Sequence, residues 1–283
     1  MRITGSTELY AVLGNPVRHS MSPILQNSWI QAHGFNALYV ALPVEPENFE
    51  TALQGLAASD VCGLNITTPF KERAAAAALQ QSDRVRLVGA ANCLTLDRAG
   101  RGYDANNTDG DGLVADLDSR AAHWRSLEGH IVVLGAGGAA RSILAALSAH
   151  SDKGICVINR DQARAQKIAD QLNPQQIRVG TWQDLSQHLA NASLVINATS
   201  QGLNNHSPFS PDFSPTHPDA IIYDTIYSPR MTAYLESAKS YKRRYLDGLG
   251  MLAGQGALAF QHWFGVLPNL QDGLNTLEKA LTA

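Results

Sequence analysis

The segment that most restricts the fold is Ile131-Val-Val-Leu134, followed at once by Gly135-Ala-Gly-Gly-Ala-Ala-Arg-Ser142. A short apolar run bounded by glycines reads as a buried strand, the glycines as a tight turn, and the alanine-rich continuation as a helix start. Gly135 allows the turn, and Gly137 leaves room for a ligand to approach the backbone. Small Ala140 stands where a third glycine would let the helix pack on the strand. The helix N-terminus offers unpaired N–H groups and the positive end of the dipole. Strand, glycine turn and helix in this order are what a dinucleotide pyrophosphate needs, and they fit only a chain that builds strand-helix-strand units.

Further short apolar runs alternate with helical patterns along most of the chain, so the class is α/β with mostly parallel sheets. Expected strands in the first part are Leu9 to Gly14, Ala37 to Val44 and Val61 to Thr67. The pair Ser22-Pro23 reads as N-cap and first position of a helix that Gly34 closes. A second series runs through Ile131 to Leu134, Ile155 to Asn159, Arg178 to Trp182, Leu194 to Asn197 and Ile221 to Tyr223, and it predicts a separate sheet. Between the series, Asp97 to Gly112 is rich in Gly, Asn and Asp and lacks helical period, which predicts a functional loop and a domain boundary near Gly112. After Gly248 the chain returns to amphipathic helix, with Leu252, Leu258 and Phe260 in one segment and Leu270, Leu274, Leu277 and Leu281 in the next. At 283 residues the length suggests one large domain or two ordinary ones of ~100 to 200 residues each.

The formal net charge of −3 excludes an overall basic field, so no nucleic acid or anionic membrane is expected as partner and anion recognition must be local. Cys62, Cys93 and Cys156 are too widely spaced for a disulfide framework or a paired metal motif, and they read as buried thiols in a reducing compartment. His19, His33 and the other histidines show no ligand spacing, so no metal is assigned. Neither a signal peptide nor a membrane-spanning run is evident, and the expectation is a cytoplasmic protein.

The strand after the glycine loop ends at Asn159, where an NAD site ordinarily carries a carboxylate for the ribose hydroxyls. Asn159 lacks that charge, whereas Arg160 and Arg164 place two guanidinium groups where a ribose 2′-phosphate would lie. NADP is therefore favoured over NAD. Asp161 complicates this: it would repel a phosphate or bind a ribose diol, or it caps the helix Gln162 to Leu172.

Asn65-Ile-Thr-Thr-Pro-Phe-Lys71 reads as a strand entering a helix, with Thr68 as N-cap, Pro69 next and Lys71 third. A cation there faces the positive end of the helix dipole, which suggests that Lys71 has other work than solvation. Asp109, in Asn106-Asn-Thr-Asp-Gly-Asp-Gly112, is a carboxylate able to orient an amine. Ser20 and Ser22, after the first strand, offer hydroxyls to a polar ligand, with helix capping the plainer role for Ser22.

Together the motifs resemble the shikimate dehydrogenase family. Those that carry the resemblance are Gly14-Asn-Pro-x-x-His-Ser-x-Ser-Pro23, Asn65-Ile-Thr-x-Pro-Phe-Lys71, Gly89-Ala-Ala-Asn92, Asn107-Thr-Asp-Gly110, Gly135-Ala-Gly-Gly-Ala139, Asn159-Arg160, Asn197-Ala-Thr-Ser200, Asp224 to Tyr227 and Gly248-Leu-Gly-Met-Leu-Ala-Gly-Gln255. The resemblance implies a substrate domain made of residues 1–112 and 248–283, and a Rossmann-type NADP domain of residues 113–247. It also implies reversible reduction of 3-dehydroshikimate to shikimate, in the chorismate route to aromatic amino acids.

By position, Lys71 and Asp109 resemble the family's proton-transfer pair, and Ser20, Ser22, Asn65, Thr67, Asn92, Tyr227 and Gln255 its substrate contacts. Gly135, Ala136, Gly137, Gly138, Ala139, Asn159, Arg160, Asp161 and Arg164 match the cofactor site, joined by Asp83, Thr225 and Gly248. Three positions depart from the family pattern: Asp161 and Cys93 where threonine is usual, and Leu203 where methionine is usual. The rival expectations are a quinate/shikimate dehydrogenase using NAD, and a ligand sensor without turnover. The protein is expected to bind only small molecules, as a monomer or homodimer.

Overall fold

The computed structural model describes residues 3–202 and 209–282; Leu203 lies outside them. The chain divides into two compact units, Met1–Gly112 with Ala253–Ala283, and Leu113–Leu252. Each has its own six-stranded sheet, so the protein is an α/β chain of two domains. Among the described residues no helix is long and apolar enough to cross a membrane.

In the first unit the chain runs β1 (Glu8–Gly14), α1 (Ser22–Ala32), β2 (Ala37–Pro43), α2 (Phe49–Ala58), β3 (Gly63–Ile66), α3 (Lys71–Ala77), β4 (Gln80–Gln81), α4 (Asp83–Val88), β5 (Cys93–Asp97) and β6 (Gly102–Asn106). The sheet order is β2-β1-β3-β5-β6-β4. Strands β1, β2 and β3 are parallel, and β5 runs antiparallel to both β3 and β6. The pairings Asn65 with Cys93 and Cys93 with Asn106 bring the end of β3, the start of β5 and the end of β6 to one edge of the sheet. Beneath that edge Phe49 and Phe70 stack at 4.5 Å in a core that includes Leu13, Leu64 and Ile66.

Three local expectations are corrected here. Residues 97–112 are not a structureless loop: they hold the turn of the β5–β6 hairpin, β6 itself and the first turn of α5 (Asp109–Arg120). Polar residues alternate there with buried Tyr103 and Ala105, a period-two pattern diluted by turn-forming residue types. Ser22 is the first residue of α1, not its cap. Met21 holds the cap position, and the Ser20 hydroxyl accepts the Ser22 N–H. Helix α3 starts at Lys71 with Phe70 as its cap, because the Phe70 N–H closes a turn back to the Thr67 carbonyl and delays the helix past Thr68 and Pro69.

The second unit continues with β7 (His130–Leu134), α6 (Gly138–His150), β8 (Ile155–Ile158), α7 (Gln162–Leu172), β9 (Ile177–Gly180), α8 (Leu185–Leu189), β10 (Ala192–Asn197), β11 (Ile221–Asp224), α9 (Ala233–Ser240) and β12 (Arg244–Leu246). All its strand pairs are parallel, in the order β12-β11-β10-β7-β8-β9. Strand order thus reverses on either side of β7, the doubly wound arrangement whose ligands bind at the carboxyl ends of strands near the reversal. Both faces are covered, which is why β7 is apolar throughout its buried length. Ile131 and Val133 enter one core with Leu117, Trp124 and Ile143, and Val132 and Leu134 enter another with Phe213 and Tyr234.

Helices α10 (Leu249–Phe264) and α11 (Leu270–Thr282) end the chain. Gly273 of α11 seats against the Trp29 ring, and Leu274 and Leu277 are buried. Leu281, expected in the same stripe, is exposed in the last turn of the helix. Cys93 and Cys156 are buried free thiols; Cys62, also expected buried, is only half-buried just before the edge of β3.

One of the buried carboxylates of the second unit, Asp116, gathers several partners. Asp116 accepts two hydrogen bonds from Arg120 and one, at 2.6 Å, from the Tyr223 hydroxyl; Arg120 and Arg230 both reach Asp247. Asp116→Ala strands a guanidinium and a phenol in this core and is expected to cost about 3 kcal/mol, read as a lowered urea midpoint for this unit. An unmoved midpoint would show that the network does not hold the unit together.

Candidate functional site

At the shared edge of the first sheet, polar side chains meet in one chain of hydrogen bonds. Tyr39 on β2 donates to Asn65 Oδ1 at 2.7 Å, and Asn65 Nδ2 donates to the Asn92 carbonyl at 3.0 Å. Asn92 is the hub. Its Oδ1 accepts the Thr108 N–H, and its Nδ2 lies 2.9 Å from both Thr108 Oγ1 and Asp109 Oδ1 and 3.2 Å from Gln255 Oε1. Two amide hydrogens shared among three acceptors make a fully engaged donor, and all of Asn65, Asn92, Thr108 and Asp109 are buried.

Lys71 completes the cluster. Its Nζ donates to Asp109 Oδ2 at 2.6 Å, so the Asp109 carboxylate is held on one oxygen by an amide and on the other by an ammonium. Asp109 is the first residue of α5, where the helix dipole favours an anion; Lys71 is the first of α3, where it disfavours a cation. The ion pair answers that mismatch. The Lys71 side chain keeps 22% of its surface exposed against 6% for Asp109, so the cation is the more open member of the pair.

Glycines let the remaining segments come close enough. A Cβ on Gly112 would stand 2.3 Å from the Gln255 nitrogen, and one on Gly254 would stand 2.3 Å from the Gly112 carbonyl. Helices α5 and α10 therefore touch backbone to backbone, and this contact delivers Gln255, whose carbonyl accepts the Thr108 hydroxyl. Ser20, Ser22 and Thr67 follow β1 and β3 in the same unit, with Thr67 half-buried where its methyl packs on Gly14. Tyr227, assigned by resemblance to the same substrate set, belongs to the second unit, as Asp83, assigned to the cofactor set, belongs to the first. Asp83 is an exposed residue ion-paired to Arg86.

In the second unit Gly135 has φ +112°, and a Cβ there would lie 2.8 Å from the Ala198 carbonyl, so the turn accepts no other residue without strain. In front of Gly137 and Gly138 the space is open. Among the described residues no packing demands glycine at Gly137, whereas a ligand lying on the backbone would. Helix α6 starts there without a side-chain cap, so its first N–H groups remain to be satisfied, and these features together with Ala136 and Ala139 fit a pyrophosphate.

At the end of β8, Asn159 is followed by exposed Arg160, and the Asp161 side chain accepts the Arg164 N–H as the cap of α7. Thr225 and Gly248 are in contact, since a Cβ on Gly248 would meet the Thr225 carbonyl at 2.1 Å. Cys93 stands buried at the head of β5, one residue from the hub, and burial pushes its thiol pKa up.

Sequence reasoning did not single out Tyr39 or Thr108 as members of the network. Thr108 precedes Asp109 in Asn107-Thr-Asp-Gly110, a usable signal; Tyr39 carries no local one. Asp224, first residue of the motif Asp224 to Tyr227, carried no assigned role in the sequence: it is fully buried beside Thr225, accepts Asn197 Nδ2, the Ile226 N–H and the Thr232 hydroxyl, and burial lifts its pKa from 3.8 to about 6.

Three family models match the chain: "Shikimate dehydrogenase substrate binding domain" over residues 12–94, "Shikimate / quinate 5-dehydrogenase" over 120–204 and "Shikimate 5'-dehydrogenase C-terminal domain" over 248–278. A shikimate dehydrogenase (NADP(+)) of Rhodospirillum rubrum is 39% identical over 275 residues, covering 96% of this chain and 97% of that protein. One from Caulobacter vibrioides is 41% identical, covering 94% and 93%. The crystal structure of shikimate 5-dehydrogenase from Thermus thermophilus in complex with NADP(H) and shikimate superposes with a TM-score of 0.85 at 30% identity, over 96% of this chain and 99% of that one.

The raised pKa of Asp224 carries a sign. A carboxyl that binds its proton more tightly when folded adds stability that is present below pH ~4 and is lost as the pH rises through ~6, a change of roughly 3 kcal/mol. The difference in urea stability between the protein and Asp224→Asn is thus expected to slope across that window and flatten above it. A difference independent of pH would mean that Asp224 ionises normally.

Proposed function

The chain belongs to the shikimate dehydrogenase family, and from that membership we propose that it catalyses the reversible NADPH-dependent reduction of 3-dehydroshikimate to shikimate, with Lys71 and Asp109 as its proton-transfer pair. The observation that carries the reading is the 2.6 Å contact between the amine of the partly exposed Lys71 side chain and the buried Asp109 carboxylate. Reducing a ketone adds a hydride to carbon and a proton to oxygen. Gly135–Ala139 would hold NADPH, whose bound form would supply the hydride.

The protein supplies the rest. Lys71 Nζ gives a proton to the carbonyl oxygen as negative charge develops there, and in the oxidative direction takes it back from the hydroxyl. Asp109 anchors the amine so that it meets the substrate in one orientation, and Asn92 fixes Asp109 in turn. Ser20, Ser22, Asn65, Thr67, Asn92 and Gln255 offer hydroxyl and amide groups to the substrate's hydroxyls and carboxylate, as Tyr227 does by family position. A site lined in this way discriminates against analogues that lack a hydroxyl, because its buried donors and acceptors would be left unpaired. The product is a precursor on the chorismate route to aromatic amino acids.

NADP is the cofactor of this reading, held by the glycine loop with Arg160 and Arg164 toward the 2′-phosphate. The sole hint of NAD was Asp161, and its carboxylate is engaged as the cap of α7. The sensor reading has no support from the site, which retains an amine paired with a fixed carboxylate.

In the cofactor absorbance assay with shikimate, Lys71→Ala is expected to leave KM within a few-fold and lower kcat by ~10² or more. Near-normal turnover would remove Lys71 from the chemistry. Arg160→Ala is expected to raise KM for NADP more than for NAD; an equal rise in both would show that Arg160 does not read the phosphate.

A further inference from the structure

Tyr39 stands on β2, an edge strand of the first sheet, yet only 1% of it is exposed. A buried phenol needs a polar partner, and here the partner belongs to the candidate site: the hydroxyl donates to Asn65 Oδ1 at 2.7 Å. Burial pushes the phenol pKa well above its ordinary value, so the group keeps its hydrogen, and the Ser22 hydroxyl contacts the same oxygen. With Ser22 on the oxygen, the hydrogen of the phenol is directed at Asn65.

The backbone of Tyr39 is clamped as well. The Asn27 amide on α1 stands where a further strand would pair: its Oδ1 accepts the Tyr39 N–H at 2.9 Å, and its Nδ2 donates to the Tyr39 and Pro23 carbonyls, both at 2.8 Å. The Trp263 ring of α10 lies 6.1 Å from the phenol ring. The phenol is thus anchored before it meets Asn65.

An asparagine amide has two N–H donors and two lone pairs, and it can turn about its own axis. Asn65 Nδ2 is committed to the Asn92 carbonyl, which only accepts, and Oδ1 is committed to the phenol. Half of the hydrogen-bonding capacity of Asn65 therefore goes to fixing the plane and sense of its amide. Without the phenol the amide would be held at one end only.

We propose that Tyr39 is a positioning residue for the reaction: it holds the Asn65 amide in the orientation that the substrate's polar groups require, and so sets affinity for the substrate through Asn65. The inference rests on the reading of Asn65 as a substrate contact and extends it one residue outward. An amide oriented in advance loses no further freedom when the substrate arrives, so the effect falls on binding. Proton transfer at Lys71 and Asp109 does not depend on it.

The test is steady-state kinetics of shikimate oxidation by the whole protein. Tyr39→Phe keeps the ring and removes only the hydroxyl; it is expected to raise KM for shikimate about fivefold, the scale of one hydrogen bond, with kcat within about twofold and KM for NADP unmoved. A merely structural role would instead reduce the active fraction, read as a lower apparent kcat at unchanged KM. In an Asn65→Ala background the same substitution should change kcat/KM for shikimate by less than about twofold, because the bond it breaks is already gone. An unchanged KM for shikimate in Tyr39→Phe would overturn the inference, as would an equal penalty with and without Asn65. If the unmodified protein does not oxidise shikimate, the functional reading falls and this inference with it; if it does, and Tyr39→Phe matches it in KM, only the positioning role is lost.

Discussion

The hydrogen bonds of Asn92 are the constraint on which the first unit's chemistry depends. Four stretches of chain that are remote in sequence, around positions 71, 92, 109 and 255, must arrive at one point, and Asn92 and its amide contacts hold three of them directly. Lys71 joins through its ion pair and also through its backbone, whose carbonyl accepts the Ala91 N–H beside the hub. Such a network is strong only when complete, because each buried group that loses its partner keeps its desolvation cost. The antiparallel turn-back of β5 and β6 beside β3 makes completion possible, since it returns the chain twice to the same sheet edge.

The second unit solves a different problem. What it offers is backbone N–H groups at the uncapped start of α6 and the carboxyl ends of parallel strands. Side chains there serve the scaffold. The Asp116 and Asp224 networks fix β11, α5 and the segment that leads from Thr225 to Gly248, leaving the rim to Asn159, Arg160 and their neighbours.

Much of this was legible in the sequence wherever burial was two-sided. Strands β7, β8 and β10 are continuous apolar runs because helices cover both faces, and the glycine turn after β7 fixes where the helix starts. The β5–β6 hairpin was not legible as such, because Asp104 and Asn106 face away from the core and its residue types imitate a loop. The starts of α1 and α3 were misplaced for a related reason. Ser22 and Thr68 are good caps by type, but bonds made by the residues just before them, Ser20 and Thr67, decide where each helix begins. Lys71 drew notice through its unfavourable place at a helix start, and Asp109 through its turn-rich surroundings. Their 2.6 Å separation is a property of the folded sheet edge that no local pattern encodes.

The cap of α7 has a consequence for how this position can change over evolutionary time. Asp161 contributes to the helix by accepting the Arg164 N–H, a task that serine or threonine performs nearly as well as aspartate. The position is therefore close to neutral for folding across acidic and hydroxyl residues, while the charge at the start of α7 differs by one between them. Descendants of this chain can drift between the two at little structural risk, so the charge presented just after β8 can change without the helix having to be rebuilt.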